Sequence, residues 1–182
     1  MRKLFLAFVW TITVSGFSQS VKADYWVKPG RKTIQTGSLF ITLKISEKLS
    51  YTNFMLVSTS GFAEAQFGLS AKIAPNTFFG VSAGFQNSGS ARFGSSFFTK
   101  QGSYSLLLIG EYGVGGSYWY NYYLKKSFKK HSFGVFGRRF VGHGLRSDFS
   151  FGKINLWVAG VYDFEARTFN TPAGVYVKFV FP

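Results

Sequence analysis

Residues 65–86 read AQFGLSAKIAPNTFFGVSAGFQ, and their periodicity decides the fold. Phe67, Leu69, Ala71 and Ile73 alternate with Gln66, Gly68, Ser70 and Lys72. After Pro75-Asn76 the pattern resumes, with Phe79, Val81, Ala83 and Phe85 between Gly80, Ser82, Gly84 and Gln86. Successive side chains of a strand point to opposite faces, so each run has one apolar and one small polar face. Pro75-Asn76 pairs two turn-forming residues between the runs. Two antiparallel strands are predicted.

The same period recurs along the chain. Leu39, Ile41, Leu43 and Ile45 flank Thr42 and Lys44. Ile154, Leu156 and Val158 oppose Asn155 and Trp157, and Val175, Val177, Phe179 and Phe181 oppose Tyr176 and Lys178. The 182 residues include 21 Gly and are 20 % aromatic, a composition that disfavours helix and disorder alike. Past residue 23 no apolar run approaches the 18 residues of a membrane helix. The chain is predicted to be all-β, with strands near 36–45, 49–58, 65–74, 77–87, 91–99, 103–114, 117–125, 131–141, 146–151, 154–164 and 173–181. Tyr25-Trp26-Val27 supplies one more, giving a twelve-stranded antiparallel up-and-down barrel. Eight or ten strands result if 91–99 and 146–151 are loop.

The N-terminus carries an address. Met1-Arg2-Lys3 is positive, Leu4 to Val14 is apolar, and Ser15 to Ser20 is small and polar before Val21-Lys22-Ala23. This is the layout of a secretory signal peptide, predicted over 1–23 with the barrel in 24–182. A cut after Ser20 is the alternative.

Alternation alone does not say which face is wet. A soluble barrel turns its apolar face inward; a transmembrane barrel turns it to lipid. Charged residues make up only 15 %, and the polar set is mainly Gly, Ser, Thr, Asn and Gln, too uncharged for a solvent face. Aromatic groups fall near segment ends, at Tyr25-Trp26, Phe78-Phe79, Phe97-Phe98 and Tyr118-Trp119-Tyr120, as the two membrane interfaces require. A transmembrane barrel is therefore expected.

On this pattern, and on the last strand Ala173 to Phe181, the chain resembles the bacterial outer-membrane β-barrel proteins. The resemblance implies an outer-membrane location, an even strand number, periplasmic termini and contact with membrane lipid, and the expected role is either a narrow anion-preferring pore or a structural barrel contacting lipopolysaccharide. It also implies recognition of the terminal aromatic, here Phe181, by the barrel-assembly machinery, although Pro182 follows it. The competing expectation is a soluble periplasmic or secreted β-barrel with a small apolar ligand inside. That alternative buries the Leu39/Ile41/Leu43 face and puts Lys44 and Lys72 outside.

No catalytic, metal or cofactor site is predicted. There is no Cys, and His131 and His143 are the whole histidine complement. His131 and Ser132 are adjacent, so a strand sends them to opposite faces. His143 lies between Gly142 and Gly144 in an expected loop, near Ser147 and Asp148, without a recognisable triad spacing. Gly113-Val114-Gly115-Gly116 lacks the Lys and the helix of a phosphate loop and reads as a tight connection.

Charge is the remaining signal: 21 Lys+Arg against 7 Asp+Glu, a net +14. Candidate lumen charges are Lys44, Lys72, Lys153 and Lys178 with Glu111 and Asp163, an excess that favours anions in a watered pore. Candidate contacts for anionic lipid are Lys125, Lys126, Lys129, Lys130, Arg138, Arg139 and Arg146. Nucleic acid is a poorer partner, because the basic residues are dispersed and the protein is exported.

Overall fold

The structure is a computed structural model and describes residues 19–30 and 33–181. Most of the expected signal peptide lies outside the described residues. Thirteen strands follow one another: β1 (Gln19–Lys28), β2 (Ile34–Lys44), β3 (Leu49–Ser58), β4 (Ala63–Ala74), β5 (Thr77–Gln86), β6 (Ala91–Gln101) and β7 (Tyr104–Gly113) form the first half. The second comprises β8 (Tyr118–Ser127), β9 (His131–Arg138), β10 (Gly142–Phe151), β11 (Ile154–Asp163), β12 (Thr168–Asn170) and β13 (Ala173–Phe181). All pairings are antiparallel between neighbours, and β1 pairs with β13, so the sheet closes on itself.

Twelve strands make the ring, and short β12 is the extra one. It continues the line of β13 along β11, separated from it by Thr171-Pro172. Proline has no N–H to give the ladder, which explains the break. The gap is bridged from the other side, where Ala159 N donates to the Pro172 carbonyl at 2.9 Å.

Register assigns every side chain to a face. Phe54, Gln66, Gly84 and Arg92 are successive partners across β3 to β6 and share the inner face. Gln66, Gly84 and Arg92 are buried there, while Phe67, Leu69, Val81, Phe85 and Phe93 on the other face are 46–65 % exposed. The outer surface is thus an aliphatic zone of Val81, Leu108, Leu124, Val135, Leu145 and Val158 between two aromatic girdles. One girdle, near the chain ends, includes Phe79, Tyr104, Phe151 and Phe181; the other, at the far end, includes Phe85, Tyr112, Tyr118 and Phe169. So much continuous apolar surface suits lipid and not water.

Lys44 and Lys72 face inward, opposite Ser50 and Phe78, which removes the soluble-barrel alternative. A charge at mid-belt then carries a lipid penalty of about 2–4 kcal/mol. Val81→Arg is expected to lower the barrel's unfolding free energy by that amount, read by denaturant titration in lipid vesicles.

Curvature comes from glycine at close approaches. A Cβ on Gly84 would sit 1.9 Å from the Ala65 carbonyl oxygen, and one on Gly134 2.0 Å from that of Leu124. Only glycine lets neighbouring backbones turn this tightly at a barrel corner. Several boundaries differ from expectation. β1 starts at Gln19, β6 is a full strand to Gln101, and the segment expected at 146–151 begins at Gly142. His143 therefore lies on a strand rather than in a loop, because Gly144 packs where a Cβ would meet the Gly160 carbonyl oxygen at 2.0 Å.

Candidate functional site

Every connection of the barrel is short. The β7–β8 turn, for instance, takes only Val114 to Ser117, with Gly115 at φ 97° and Gly116 at φ 85°. The lumen is consequently lined by strand side chains, and its two walls differ.

The bulky wall belongs to β1 and β8–β11. Trp26, Tyr123, Phe136, Val141, Trp157, Ala159 and Val161 pack together, with Tyr176 against them. Two arginines are set into this aromatic wall. The Arg146 guanidinium donates to Asp148 Oδ1 at 2.6 Å and lies 4.2 Å from the Trp157 ring centroid. The Tyr123 hydroxyl donates to the other oxygen of Asp148. Arg138 stacks 5.0 Å from the Trp26 ring and donates to Asn121 Oδ1 at 3.3 Å. A guanidinium is the cation that suits such sites, since its plane stacks on rings while its edge donates.

The slender wall belongs to β3–β6, where Ser50, Thr52, Gly68, Ser70, Gly80, Ser82 and Ser96 face inward. Near the far end it carries one charged cluster. Arg92 lies 3.3 Å from Glu64 and 3.2 Å from Glu111, and it donates to Gln86 Oε1 at 3.0 Å. One cation between two buried carboxylates leaves that site with one formal negative charge in excess.

The mouth beside the chain ends is different. Lys22, Lys44, Lys72, Lys100, Lys125 and Lys178 all face inward there by register. None of these six lies within 4.0 Å of a carboxylate among the described residues. Lys22 sits directly opposite Lys178, and its Nζ rests 4.3 Å from the Tyr176 ring centroid. Lys48, Lys129, Lys130 and Lys153 add charge from the turns of the same end.

Of the other candidate lumen charges, Glu111 and Asp163 face inward but are paired. Asp163 meets Lys28 at 3.2 Å and accepts from the N–H groups of Glu165 and Ala166. Lys153 lies in the β10–β11 turn, with Nζ 5.6 Å from the Phe179 ring, so it stands at the rim and not in the lumen. The candidate lipid contacts separate in the same way. Lys125, Arg138 and Arg146 face inward, where no lipid reaches, whereas Lys126 is on the lipid side, 5.3 Å from the Tyr104 ring. Lys129 and Lys130 occupy the β8–β9 turn. Arg139 is at the far rim, 3.1 Å from Glu165 and stacked 3.7 Å from the Tyr118 ring.

Lys22, Lys100, Arg92 and Glu64 were not singled out from the sequence, and Glu111 was singled out without its partners. Lys22 falls within the expected signal peptide, although it shares the phase of Asp24 and Trp26. Lys100 keeps step with Arg92 along β6.

The histidines form no nucleophile–base–acid set. His131 is on the lipid side and Ser132 on the lumen side. The ring nitrogens of His143 share hydrogen bonds with the Tyr120 and Tyr122 hydroxyls, 2.8 Å each, on the outer face. Asp148 lies on the inner face, out of reach of His143.

No protein-family model matches the chain, and no curated protein matches its sequence. Solved structures match the fold. The KdgM porin in complex with disordered oligogalacturonate superposes with a TM-score of 0.58 at 14 % identity, over 88 % of this chain and 99 % of that one. KdgM porin in a second structure gives 0.58 at 13 % identity with the same coverage. A chain from a structure on in meso crystallization of membrane proteins gives 0.65 at 9 % identity, over 91 % and 84 %. At such identities the likeness is one of fold. The chain is a closed antiparallel β-barrel that shares the fold of the porins it superposes on, and its continuous apolar belt suits a lipid surround.

Proposed function

We propose that the barrel is a narrow, non-catalytic pore that prefers anions. The observation that carries this reading is the set of six inward lysines at one mouth, with no carboxylate partner among the described residues. A ring of like charge concentrates ions of the opposite sign and excludes its own. The structurally similar KdgM porin, in its complex, holds oligogalacturonate, a polyanion, which accords with such a lining. The route runs along the slender wall, because the bulky wall fills its side of the lumen with packed rings. In planar bilayers under a tenfold KCl gradient, the zero-current potential should show chloride roughly threefold or more as permeant as potassium. A potential of the opposite sign, or one at zero, would refute the reading.

Lipid contact falls to the residues outside the barrel. Lys126, Lys129 and Lys130 take phosphate headgroups at the terminal end, and Arg139 takes a lipopolysaccharide phosphate at the far rim. Phe181, outward and stacked with Phe179 at 6.4 Å, is the aromatic offered to the barrel-assembly machinery.

The signal-peptidase cut belongs after Ser20. A cut after Ala23 would remove all of Gln19 to Ala23 from the pairing with β2 and β13 where the barrel closes, whereas a cut after Ser20 removes only Gln19 and Ser20. The mature protein is expected to begin at Val21, and intact-mass measurement of the outer-membrane form checks it.

A further inference from the structure

Phenylalanine in a watered lumen is unexplained by anion preference alone. Phe40 faces inward beside Lys22, and Phe78 beside Lys72; they are 40 % and 36 % exposed. Phe54 is the cross-strand partner of Phe40, and Phe98 that of Phe78, with ring centroids 6.4 Å apart in the second pair. Phe78 and Phe98 lie toward the mouth beside the chain ends, and Phe40 and Phe54 lie near the middle of their strands. Lys100 is two residues beyond Phe98 on the same face. The contrast with the opposite wall is sharp: Phe136 there is 1 % exposed and Trp157 2 %. Those rings pack the barrel. Phe40 and Phe78 leave apolar surface open to the passage, where burial would otherwise stabilise the fold.

We infer that the pore's solute is an amphiphilic organic anion, a carboxylate or phosphate carried on an apolar ring or short chain. The inference rests on the pore reading and names the solute of that same site. The anionic group meets Lys72 and Lys100, while the apolar body lies along Phe40, Phe54, Phe78 and Phe98. Aromatic lining and cationic lining within one short stretch recognise the two parts of such a molecule together.

Acetate and phenylacetate separate the two contributions, since they share a charge and differ in the ring. Added to the pore in planar bilayers, phenylacetate should interrupt the chloride current at concentrations about tenfold below acetate, the effect of burying part of one ring. Phe40→Ser and Phe78→Ser, made separately, should each raise the phenylacetate concentration needed by about fivefold. Phe79→Ser, on the lipid face of the same strand as Phe78, should leave it where it was. Equal interruption by the two anions in a pore that prefers chloride would overturn the inference and spare the pore reading. A pore without anion preference would overturn the pore reading itself. If the barrel carries no current, isothermal titration of the detergent-solubilised protein decides. Phenylacetate binding that Phe40→Ser weakens would keep an amphiphilic anion as the ligand of this lining while overturning its passage through a pore, and no binding would overturn both.

Discussion

With Lys44, Lys72, Lys100 and Lys125 each changed to glutamate, the zero-current potential of the pore is expected to change sign. The four substitutions turn six inward positive charges into an inward set with a negative excess, because only Lys22 and Lys178 remain among them, while the turn lysines stand outside the lumen at the rim. Strand geometry aims all four replacements into the same lumen, so the wall's shape is kept while its field is inverted. Screening sets the conditions. Charges around a mouth act together when the Debye length is about 10 Å, as in 0.1 M salt, and separately when it is about 3 Å, as in 1 M. Selectivity of the native pore should therefore weaken as salt rises, and the reversal should be largest in dilute KCl. An unchanged sign in the variant would place the selectivity elsewhere in the barrel.

Removing Arg146 should be the most damaging single change to stability. Its partner Asp148 is 2 % exposed and would be left as a buried carboxylate without its cation. Breaking a buried pair from one side costs about 3–5 kcal/mol, because desolvation of the survivor is no longer offset. Arg146→Ala also strips the guanidinium from the Trp157 and Tyr123 rings. The paired replacement Arg146→Met with Asp148→Leu should recover most of that loss. It still orphans the Tyr123 hydroxyl, which donates to Asp148, at about 1–3 kcal/mol. Unfolding by denaturant, followed through the tryptophans, gives both numbers. A single variant as stable as the pair would contradict the assignment.

The fold was legible because a barrel writes itself in period two. Phe67 to Ile73 and Phe79 to Phe85 declare one face, and the low charge of the opposing set declares that this face is not the wet one. Strand ends were less legible. His143 between two glycines reads as loop, yet Gly142, at φ 125°, and Gly144 are there for close packing within β10. Lys22 was hidden for a different reason: an export signal ends in small residues, and so does the start of β1, and sequence gives no boundary between them. Lys153 failed as a lumen charge because a turn residue has left the alternation that places its neighbours. The ion clusters were beyond reach altogether. Arg92 joins Glu64 and Glu111 only because β4, β5, β6 and β7 lie in register, a fact of closure and shear that no single strand carries.

The absence of cysteine allows the inside-out arrangement to be tested residue by residue. Single cysteines placed at Ser70, Val81, Ser82 and Ala83 alternate between the two faces of β4 and β5. In intact outer membranes, a water-soluble anionic thiol reagent should label Ser70→Cys and Ser82→Cys and spare Val81→Cys and Ala83→Cys. Labelling of Val81→Cys and Ala83→Cys instead, or of all four or none, would contradict a lipid-facing barrel around a watered, anion-admitting lumen.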